Sequence, residues 1–228
     1  MKITIIGSGV VGQTLAAAFH SQGHQVWMAT RNPDETAKRT VEDPQSGESF
    51  AHWHAENPGV TLVSFGQVPD GSEVLVNATG GMVSLDALDQ IGADKIGSKV
   101  LLDVANPLDF SQGFPPTLAY CNTDSLGERI QQRFPGARVV KALNTVNFRV
   151  MVQPDIVPGA HNLFMCGDDP GAKEVVLGLL ASLGWPRGRV LDLGGIGAAR
   201  GTEMLMPLWL GLMVQMGSPI MNFEIRRP

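Results

Sequence analysis

The sequence has few of the residues that mark secreted, metal-binding or nucleic-acid-binding proteins. Only two of its 228 residues are cysteine, Cys121 and Cys166, which is too few for a disulfide framework and gives no metal-binding pair. The formal net charge is −5, and no basic stripe interleaved with aromatic residues occurs, so nucleic acid is not an expected partner. The first predicted strand starts at the N-terminus and leaves no room for a signal peptide, so we expect a cytoplasmic protein.

Long hydrophobic runs are also missing. The stretch from Met204 to Met216 is apolar almost throughout, but it is much shorter than the roughly 20 residues that span a bilayer. We therefore expect no membrane segment. A helix that is apolar all round is normally buried, so this stretch is expected in the core or in a subunit interface. His52 and His54 have no Cys, Asp or Glu partner at a recognised ligand spacing, so no metal site is expected.

A glycine turn near the N-terminus is the clearest functional motif. A β-branched strand, Lys2 to Ile6, enters Gly7-Ser8-Gly9-Val10-Val11-Gly12, and a helix follows. In this context the first glycine permits a tight turn, the second a close approach by a pyrophosphate, and the third close packing of helix on strand. The sequence predicts a dinucleotide site here, with a phosphate-free turn kept for packing as the alternative.

The end of the second predicted strand indicates which dinucleotide binds. NAD sites usually carry an acid about 20 residues after the first glycine, but this chain has Thr30-Arg31-Asn32. A guanidinium can form a charge-assisted fork with a 2′-phosphate, with Thr30 and Asn32 donating beside it. NADP is therefore preferred over NAD, although Arg31 could be an ordinary surface arginine. Lys38 and Arg39 are further candidates for the same phosphate.

Polar residues follow three later predicted strands. They are Asn77-Ala78-Thr79-Gly80 after the fourth strand, Asn106 after the fifth, and Asn144 and Thr145 after the sixth. The alternation of strands and helices predicts a Rossmann-type α/β fold, a doubly wound parallel sheet, in which ligands bind at the carboxyl ends of strands. We expect residues 77–80 and Asn106 to border the cofactor. Asn106, Asn144 and Thr145 are candidates for positioning a substrate.

The residue pattern changes in the C-terminal part of the chain, after residue 147. We expect residues 1–147 to form an NADP-binding domain and residues 148–228 a small α/β extension for substrate binding and dimerisation, ending in the buried apolar helix. Arg200 follows the last predicted strand and could either hold an anionic acceptor or pair with a carboxylate. Lys141 lies within a strand, and we interpret it as a lysine that extends along a sheet edge to solvent.

Several of these segments occur in an order that resembles a known family. They are the opening turn, Thr30-Arg31-Asn32, residues 139–145, residues 165–169, and Ala199-Arg200 with Glu203 before an apolar helix. The chain is similar to the NADPH-dependent deazaflavin (coenzyme F-420) reductases, which are related to the cytosolic oxidoreductase domain of six-transmembrane metalloreductases. The resemblance covers nearly the whole chain. It implies a Rossmann domain, a small C-terminal domain, a homodimer, and direct hydride transfer between NADPH and a deazaflavin.

The candidate residues suit hydride transfer to a flat ring. That reaction chiefly needs two rings held in contact, and the strand ends offer amides and hydroxyls but no His–Asp pair. The sequence thus predicts an NADP-dependent oxidoreductase whose small-molecule hydride acceptor is coenzyme F-420 or a flavin such as FMN. Two alternatives remain: an imine or carbonyl reductase with its proton donor between Asp109 and Thr123, or a non-catalytic NADP-binding regulator.

Overall fold

The computed structural model describes residues 1–226 and contains one large, mostly parallel β-sheet with helices on both faces. The sheet has eight strands in the order β10-β9-β8-β5-β4-β1-β2-β3, and all neighbours are parallel except β8 and β9. Its strands are β1 (Lys2–Ile6), β2 (Gln25–Thr30), β3 (Thr61–Ser64), β4 (Val74–Asn77), β5 (Val100–Asp103), β8 (Arg138–Ala142), β9 (Leu163–Gly167) and β10 (Val190–Asp192). A separate antiparallel hairpin joins β6 (Leu108–Asp109) to β7 (Thr117–Leu118).

The helices connect the strands and cover both faces of the sheet. They are α1 (Val10–Ser21), α2 (Pro33–Ala37), α3 (Phe50–Glu56), α4 (Ser84–Ile91), α5 (Ala93–Ile96), α6 (Leu126–Arg133), α7 (Phe148–Val152), α8 (Pro170–Ser182), α9 (Ala199–Met204) and α10 (Met206–Met216). Several begin as the sequence indicates. The Asp169 side chain accepts from the N–H of Ala172 at 2.6 Å, and Pro170 occupies the first position of α8.

The central strands are hydrophobic on both faces because helices bury both sides of a parallel sheet. In β1, Ile5 packs with α1 and α8 on one face, whereas Ile6 packs with α4 and α6 on the other. Successive side chains of a strand point to opposite faces, so neighbouring residues enter different cores. The predicted Rossmann-type α/β sheet is confirmed. Its strand order reverses between β1 and β4, where a crevice is expected outside the carboxyl ends.

The chain after residue 147 continues the same sheet. β9 pairs antiparallel with β8, and β10 extends the sheet beyond β9. A division into domains 1–147 and 148–228 stays a prediction, and its last two residues lie outside the described part of the chain. The C-terminal segment therefore adds the sheet strands β9 and β10 and the helices α7 to α10 to the molecule.

The prediction of one continuous helix over Met204 to Met216 is wrong, and its burial in the core is met on one side only, while burial in a subunit interface stays a prediction. The segment contains the end of α9 and the whole of α10, with the break at Leu205. Trp209 is buried, but Leu208 is 54% exposed and Val214 is 61% exposed. In the single chain, α10 therefore presents one apolar face to the molecule and another to solvent. Within residues 1–226 we find no helix long and apolar enough to cross a membrane.

Candidate active site

The glycine turn joins β1 to α1 at the strand-order reversal. Gly7 has φ +111°, and a Cβ at this position would lie 2.7 Å from the Ala78 carbonyl oxygen. A Cβ at Gly12 would collide with the Gly7 carbonyl and lie 3.4 Å from Ile5 Cγ2, which shows how closely helix and strand pack. At Gly9 the space is open. The structure thus agrees with the packing roles predicted for Gly7 and Gly12 and leaves room for a ligand at Gly9.

A polar cleft of about 710 Å³ opens in front of this turn. Its lining includes the predicted residues Gly7, Ser8, Gly9, Thr30, Arg31, Asn32, Ala78, Thr79 and Gly80. Thr30 shares a 2.9 Å hydrogen bond with Thr36, and the Asn32 side chain accepts from the N–H of Glu35 at 3.3 Å. These contacts fix the end of β2 and the start of α2, and within residues 1–226 the Arg31 side chain has no carboxylate within 4.0 Å.

Arg39, rather than Lys38, occupies the cationic position beside Arg31. The Arg39 guanidinium donates to the Ser8 carbonyl at 2.6 Å and to Ser8 Oγ at 3.4 Å, and the residue lines the polar cleft. Lys38 is not part of the lining. The site prediction for Lys38 thus falls one residue short, just beyond the C-terminal end of α2 at Ala37.

Asn77 does not face the cleft, contrary to its prediction as a cofactor contact. Its side chain is fully buried and donates to Asp103 Oδ1 at 2.8 Å and to Ser84 Oγ at 3.1 Å. Its carboxamide oxygen accepts from Thr79 Oγ1 at 2.7 Å. Asn77 therefore acts beneath the cleft, where it orients Thr79, a residue that does line both parts of the site.

Lys141 is the centre of a buried ionic cluster that the sequence interpretation missed. Its ammonium is fully buried and lies 2.8 Å from both Asp103 Oδ2 and Glu203 Oε1, and it also donates to the Ala105 carbonyl. Glu203 in turn accepts from the backbone N–H groups of Leu126 and Gly127. The expected extension of Lys141 to solvent is wrong, because two carboxylates on neighbouring elements hold it inside.

The titration behaviour of this cluster follows from its burial and charge. Burial lowers the pKa of Lys141, but the carboxylates of Asp103 and Glu203 outweigh it and raise the pKa above its ordinary value. Burial raises the pKa of Glu203 despite the attraction of Lys141. Burial also raises the pKa of the nearby Cys166 thiol to about 12. Lys141 therefore stays charged and Cys166 stays a protonated thiol at neutral pH.

Asn106 and Asn144 are held together across two strand ends. Asn106 Nδ2 donates to the Asn144 carbonyl at 2.7 Å, and Asn144 Nδ2 donates to Asn106 Oδ1 at 2.9 Å. Leu143 precedes them with φ +65°, a left-handed conformation that is uncommon for leucine and turns the chain sharply after β8. Both asparagines line the cleft, as predicted. Thr145 is buried and does not line it.

The cleft continues into a second, apolar part of about 960 Å³. The two parts share four lining residues: Gly9, Ala78, Thr79 and Gly80. Aromatic and aliphatic side chains form most of the apolar wall: Phe110, Phe114, Phe148, Trp209, Met151, Met206, Leu210, Met213 and Ile220. The predicted turn residues Val10 and Val11 also line it, at the start of α1. Phe110 and Phe114 belong to the segment between Asp109 and Thr123, where the proton donor of the alternative imine or carbonyl reductase is expected from the sequence.

Two polar atoms at the apolar wall have unmet hydrogen-bonding capacity. Asn144 Oδ1 and Trp209 Nε1 are buried and have no hydrogen-bond partner within residues 1–226. An unsatisfied buried polar group costs about 1–3 kcal/mol. One atom is an acceptor and the other a donor, so a ligand with a neighbouring N–H and carbonyl could satisfy both after a small adjustment of the wall.

Arg200, a candidate for substrate positioning, lies outside both parts of the cleft. Its guanidinium forms a fork with Glu128, with contacts of 2.8 and 2.5 Å. The hydrogen bond from Arg200 lowers the pKa of Glu128 below its ordinary value. Of the two roles left open by the sequence, the structure shows the carboxylate pairing, which links α9 to α6.

His52 and His54 lie in the helix α3. In and before α3, the spacing of four residues brings Glu48, His52 and Glu56 together, with one possible ligand atom of each within 4.8 Å of the others. His52 Nε2 lies 3.7 Å from Glu48 and 3.5 Å from Glu56. The sequence interpretation missed both acidic partners because it did not assign the helix. His52 is 65% exposed, and its contacts are those of a solvent-facing ion-pair row.

Comparison with known proteins identifies relatives of the whole chain. Residues 2–107 match the family model described as NADP oxidoreductase, coenzyme F420-dependent. A crystal structure from Arthrobacter sp. FB24, of a protein provisionally assigned as an F420-dependent NADP-reductase, has 47% sequence identity and a TM-score of 0.92, and both chains are covered completely. Metalloreductase STEAP3 of Rattus norvegicus is 27% identical over 212 residues, which are 91% of this chain and 38% of that protein.

More distant structures share the fold alone. A reductive aminase from Aspergillus terreus has 18% identity and a TM-score of 0.62, with 94% of this chain and 62% of that chain covered. This chain thus spans 38% of the length of the metalloreductase it matches, and it aligns with the Arthrobacter protein from end to end. On the strength of the N-terminal match and the full-length similarity, the chain belongs to the family of coenzyme F420-dependent NADP oxidoreductases.

Proposed function

We propose that the protein transfers a hydride between NADPH and a flat, deazaflavin- or flavin-type ring, with coenzyme F420 or FMN as the acceptor. The observation that carries this proposal is the continuity of the two cleft parts. The polar part contains the glycine turn and two arginines, and it opens directly into an aromatic-walled part at Gly9 and residues 78–80. A charged dinucleotide and an apolar ring could therefore lie end to end.

The polar part fits an NADP cofactor. Arg31 and Arg39 would hold the 2′-phosphate, and the free N–H groups at the start of α1 would face the diphosphate across the open space at Gly9. The residues directly after β2 carry no acid, and among the lining of the cleft the two arginines stand with the carboxylate residues Glu35 of α2 and Asp86 of α4. When bound, NADPH supplies the hydride. The role of this chain is to fix the position of the nicotinamide end beside Thr79 and Asn106.

The apolar part fits a ring acceptor. Aromatic side chains can stack on a planar ring, and the donor Trp209 Nε1 and acceptor Asn144 Oδ1 match the adjoining carbonyl and N–H groups that flavins and deazaflavins share. The Asn106–Asn144 pair holds the strand-end side of this wall in one arrangement. Holding two reacting rings in contact can supply most of the catalysis in a reaction of this type.

Proton donors are scarce around the apolar part. Among the described residues that line it, Asp43 is the one carboxylate, and no histidine, lysine, tyrosine or cysteine is present. Asp43 Oδ1 accepts from the N–H of Gln45 at 2.8 Å, so this carboxylate is already engaged by the backbone. The loop after β6 contributes Phe110 and Phe114, which cannot donate a proton. These features favour a ring acceptor, which can spread the negative charge left by the hydride over its conjugated carbonyls and take its proton from solvent. An imine or a carbonyl needs a proton donor at the reacting atom.

The test is an anaerobic assay with NADPH or NADH and either coenzyme F420 or FMN, in which the absorbance of the oxidised acceptor is followed. We expect rapid bleaching with NADPH and slow bleaching with NADH. Trp209→Phe removes the indole N–H and should lower kcat/KM for the acceptor by about tenfold. Trp53→Phe is the matched control, because Trp53 is equally buried at 6% exposure but lies outside the cleft.

Two results would contradict the proposal. Tight NADPH binding without turnover of any ring acceptor would point to a non-catalytic NADP-binding regulator. Turnover of a cyclic imine or ketone by NADPH, with F420 and FMN inactive, would point to the reductase alternative and to a proton donor that enters from solvent.

A further inference from the structure

The arginines of this protein fall into two groups. Among residues 1–226, most arginines have a carboxylate oxygen within 4.0 Å, and these are Arg129, Arg133, Arg138, Arg187, Arg189, Arg200 and Arg226. Arg31, Arg39 and Arg149 have none in the described part of the chain, and these three line the cleft. Carboxylate pairing is therefore missing where a ligand would approach.

Arg149 lies at the opposite end of this arrangement from the other two. Arg31 and Arg39 line the polar part, where a cofactor phosphate explains them, whereas Arg149 lines the apolar part. It belongs to α7, is exposed, and its guanidinium carbon lies 5.7 Å from the centre of the Phe148 ring. The aromatic contact holds the side chain along the wall and leaves its N–H donors available.

Arg149 differs from the other residues of the apolar part in its charge. Arg149 is the one cation among the described residues of its lining, and the one carboxylate there, Asp43, does not approach it within 4.0 Å. Asp43 is instead engaged by the N–H groups of Gln45 and Ser46, at 2.8 and 3.4 Å. An anion that enters the apolar part therefore meets a guanidinium whose fork is not occupied by a side chain of the protein.

We propose that Arg149 binds an anionic group, a phosphate or a carboxylate, carried on the side chain of the ring acceptor. This inference rests on the proposed function and deepens it, because it assigns the acceptor to the class of charged ring compounds. The aromatic wall contacts the ring and Arg149 contacts the chain attached to it. Arg149 is thus a specificity residue, and it selects acceptors by charge outside the ring that receives the hydride.

FMN and riboflavin test this inference because they share one ring and differ in one phosphate. The dissociation constants of both are measured by flavin fluorescence with the NADP⁺-loaded protein, and kcat/KM is measured anaerobically with NADPH. We expect the wild type to prefer FMN by about tenfold or more, the size of one charge-assisted contact. Arg149→Met should remove this preference by weakening the binding of FMN and not that of riboflavin. Arg149→Lys should keep part of the preference for FMN.

Arg187→Met is the control, since it removes an exposed arginine that pairs with Glu174 outside the cleft. It should leave the preference for FMN intact. An unchanged ratio of FMN to riboflavin in Arg149→Met, equal loss of both, or no binding of FMN to the wild type would each overturn the inference. Weaker NADPH binding in Arg149→Met would also overturn it by making Arg149 a cofactor contact. FMN binding that depends on Arg149, without turnover of either FMN or coenzyme F420, would support Arg149 as an anion site and overturn the proposed function instead.

Discussion

Under the proposed function, single side chains decide which dinucleotide the polar cleft accepts. Arg31→Ala removes one of two guanidinium groups beside the expected 2′-phosphate. It should lower the affinity for NADPH by about 10- to 100-fold, which is the effect of losing a charge-assisted contact. The affinity for NADH should change little, because NADH lacks that phosphate. Titration of both nucleotides by fluorescence measures the difference. Lys38→Ala is the control and should leave both affinities near the wild-type values, since Lys38 does not line the cleft.

An equal loss of NADPH and NADH affinity in Arg31→Ala would show that Arg31 acts on the fold of the turn instead. Arg39→Ala is a second variant that tests the same phosphate site. The Arg39 guanidinium also donates hydrogen bonds to Ser8. We therefore expect Arg39→Ala to lower the affinity for NADPH and, to a smaller extent, the affinity for NADH.

At this scale, sequence spacing predicts which strand ends carry polar residues but not where each side chain turns. Asn106 lines the cleft as predicted, whereas Asn77 turns inward. The difference depends on Asp103, a buried partner 26 residues further along the chain, which spacing along one strand does not reveal. Arg39 was likewise only a secondary candidate, because the orientation of a side chain after α2 depends on where that short helix ends.

Between elements, the buried ionic cluster is the strongest polar link. Lys141 on β8 joins Asp103 on β5 to Glu203 on α9. Lys141→Met leaves two buried carboxylates without their cation and should lower the free energy of unfolding by about 3–5 kcal/mol. Urea unfolding followed by circular dichroism measures this loss. The double variant Lys141→Met/Glu203→Gln should recover part of it, because only one buried charge then remains.

If Lys141→Met were as stable as the wild type, the cluster would not hold α9 to the sheet. The sequence gives no local sign of this cluster. Lys141 has hydrophobic neighbours in β8, and its partners lie 38 and 62 residues away along the chain. Only the packing of β5, β8 and α9 brings the three charges together.

The contact between α6 and α9 should depend on pH. The pKa of Glu128 is lowered by the Arg200 hydrogen bond, so its folded-state pKa lies below the unfolded one. This contribution to stability is fully present above the unfolded pKa and is lost as the pH falls through the folded value. Glu128→Gln should therefore be less stable than the wild type at neutral pH, and the difference should shrink as the pH falls below about 4.5.

Urea unfolding at a series of pH values checks this expectation. Arg200→Met should reproduce the same convergence with the wild type at low pH, because it removes the other partner of the same pair. A gap between wild type and Glu128→Gln that stays constant down to acid pH would mean that the pair does not contribute to stability.

For the whole molecule, the exposed side of α10 is the most informative surface. Leu208, Val214 and Met216 are all more than half exposed, and the helix carries no charged residue. Exposed apolar patches of this kind mark interaction sites. We propose that a second copy of the chain covers this face in a homodimer, as the family resemblance implies.

Sedimentation velocity tests the proposal. The wild type should sediment as a dimer, and the pair of substitutions Leu208→Lys and Val214→Lys should give a monomer. Val41→Lys is the control, because Val41 is an isolated apolar residue with 77% exposure outside this helix. A wild type that remains monomeric at micromolar concentration would remove the explanation for the apolar face.

The sequence predicts the sheet well because strand and helix periods repeat along the chain and each central strand is buried on both faces. The predicted course of the C-terminal helix was less accurate. Its composition is apolar all round, so periodicity carries no signal for the break at Leu205 or for the face that remains exposed. The apolar part of the cleft was also missed, because its wall comes from segments as far apart as Phe110, Phe148 and Trp209.

The two parts of the cleft are lined by different stretches of the chain. Every residue that lines the polar part falls between Gly7 and Gln90, whereas most of the apolar wall comes from Val104 onward. Substitutions, insertions or recombination beyond residue 104 can therefore alter what receives the hydride without disturbing what supplies it. Evolution could diversify the acceptors of such proteins in this way while a single nucleotide module is inherited intact.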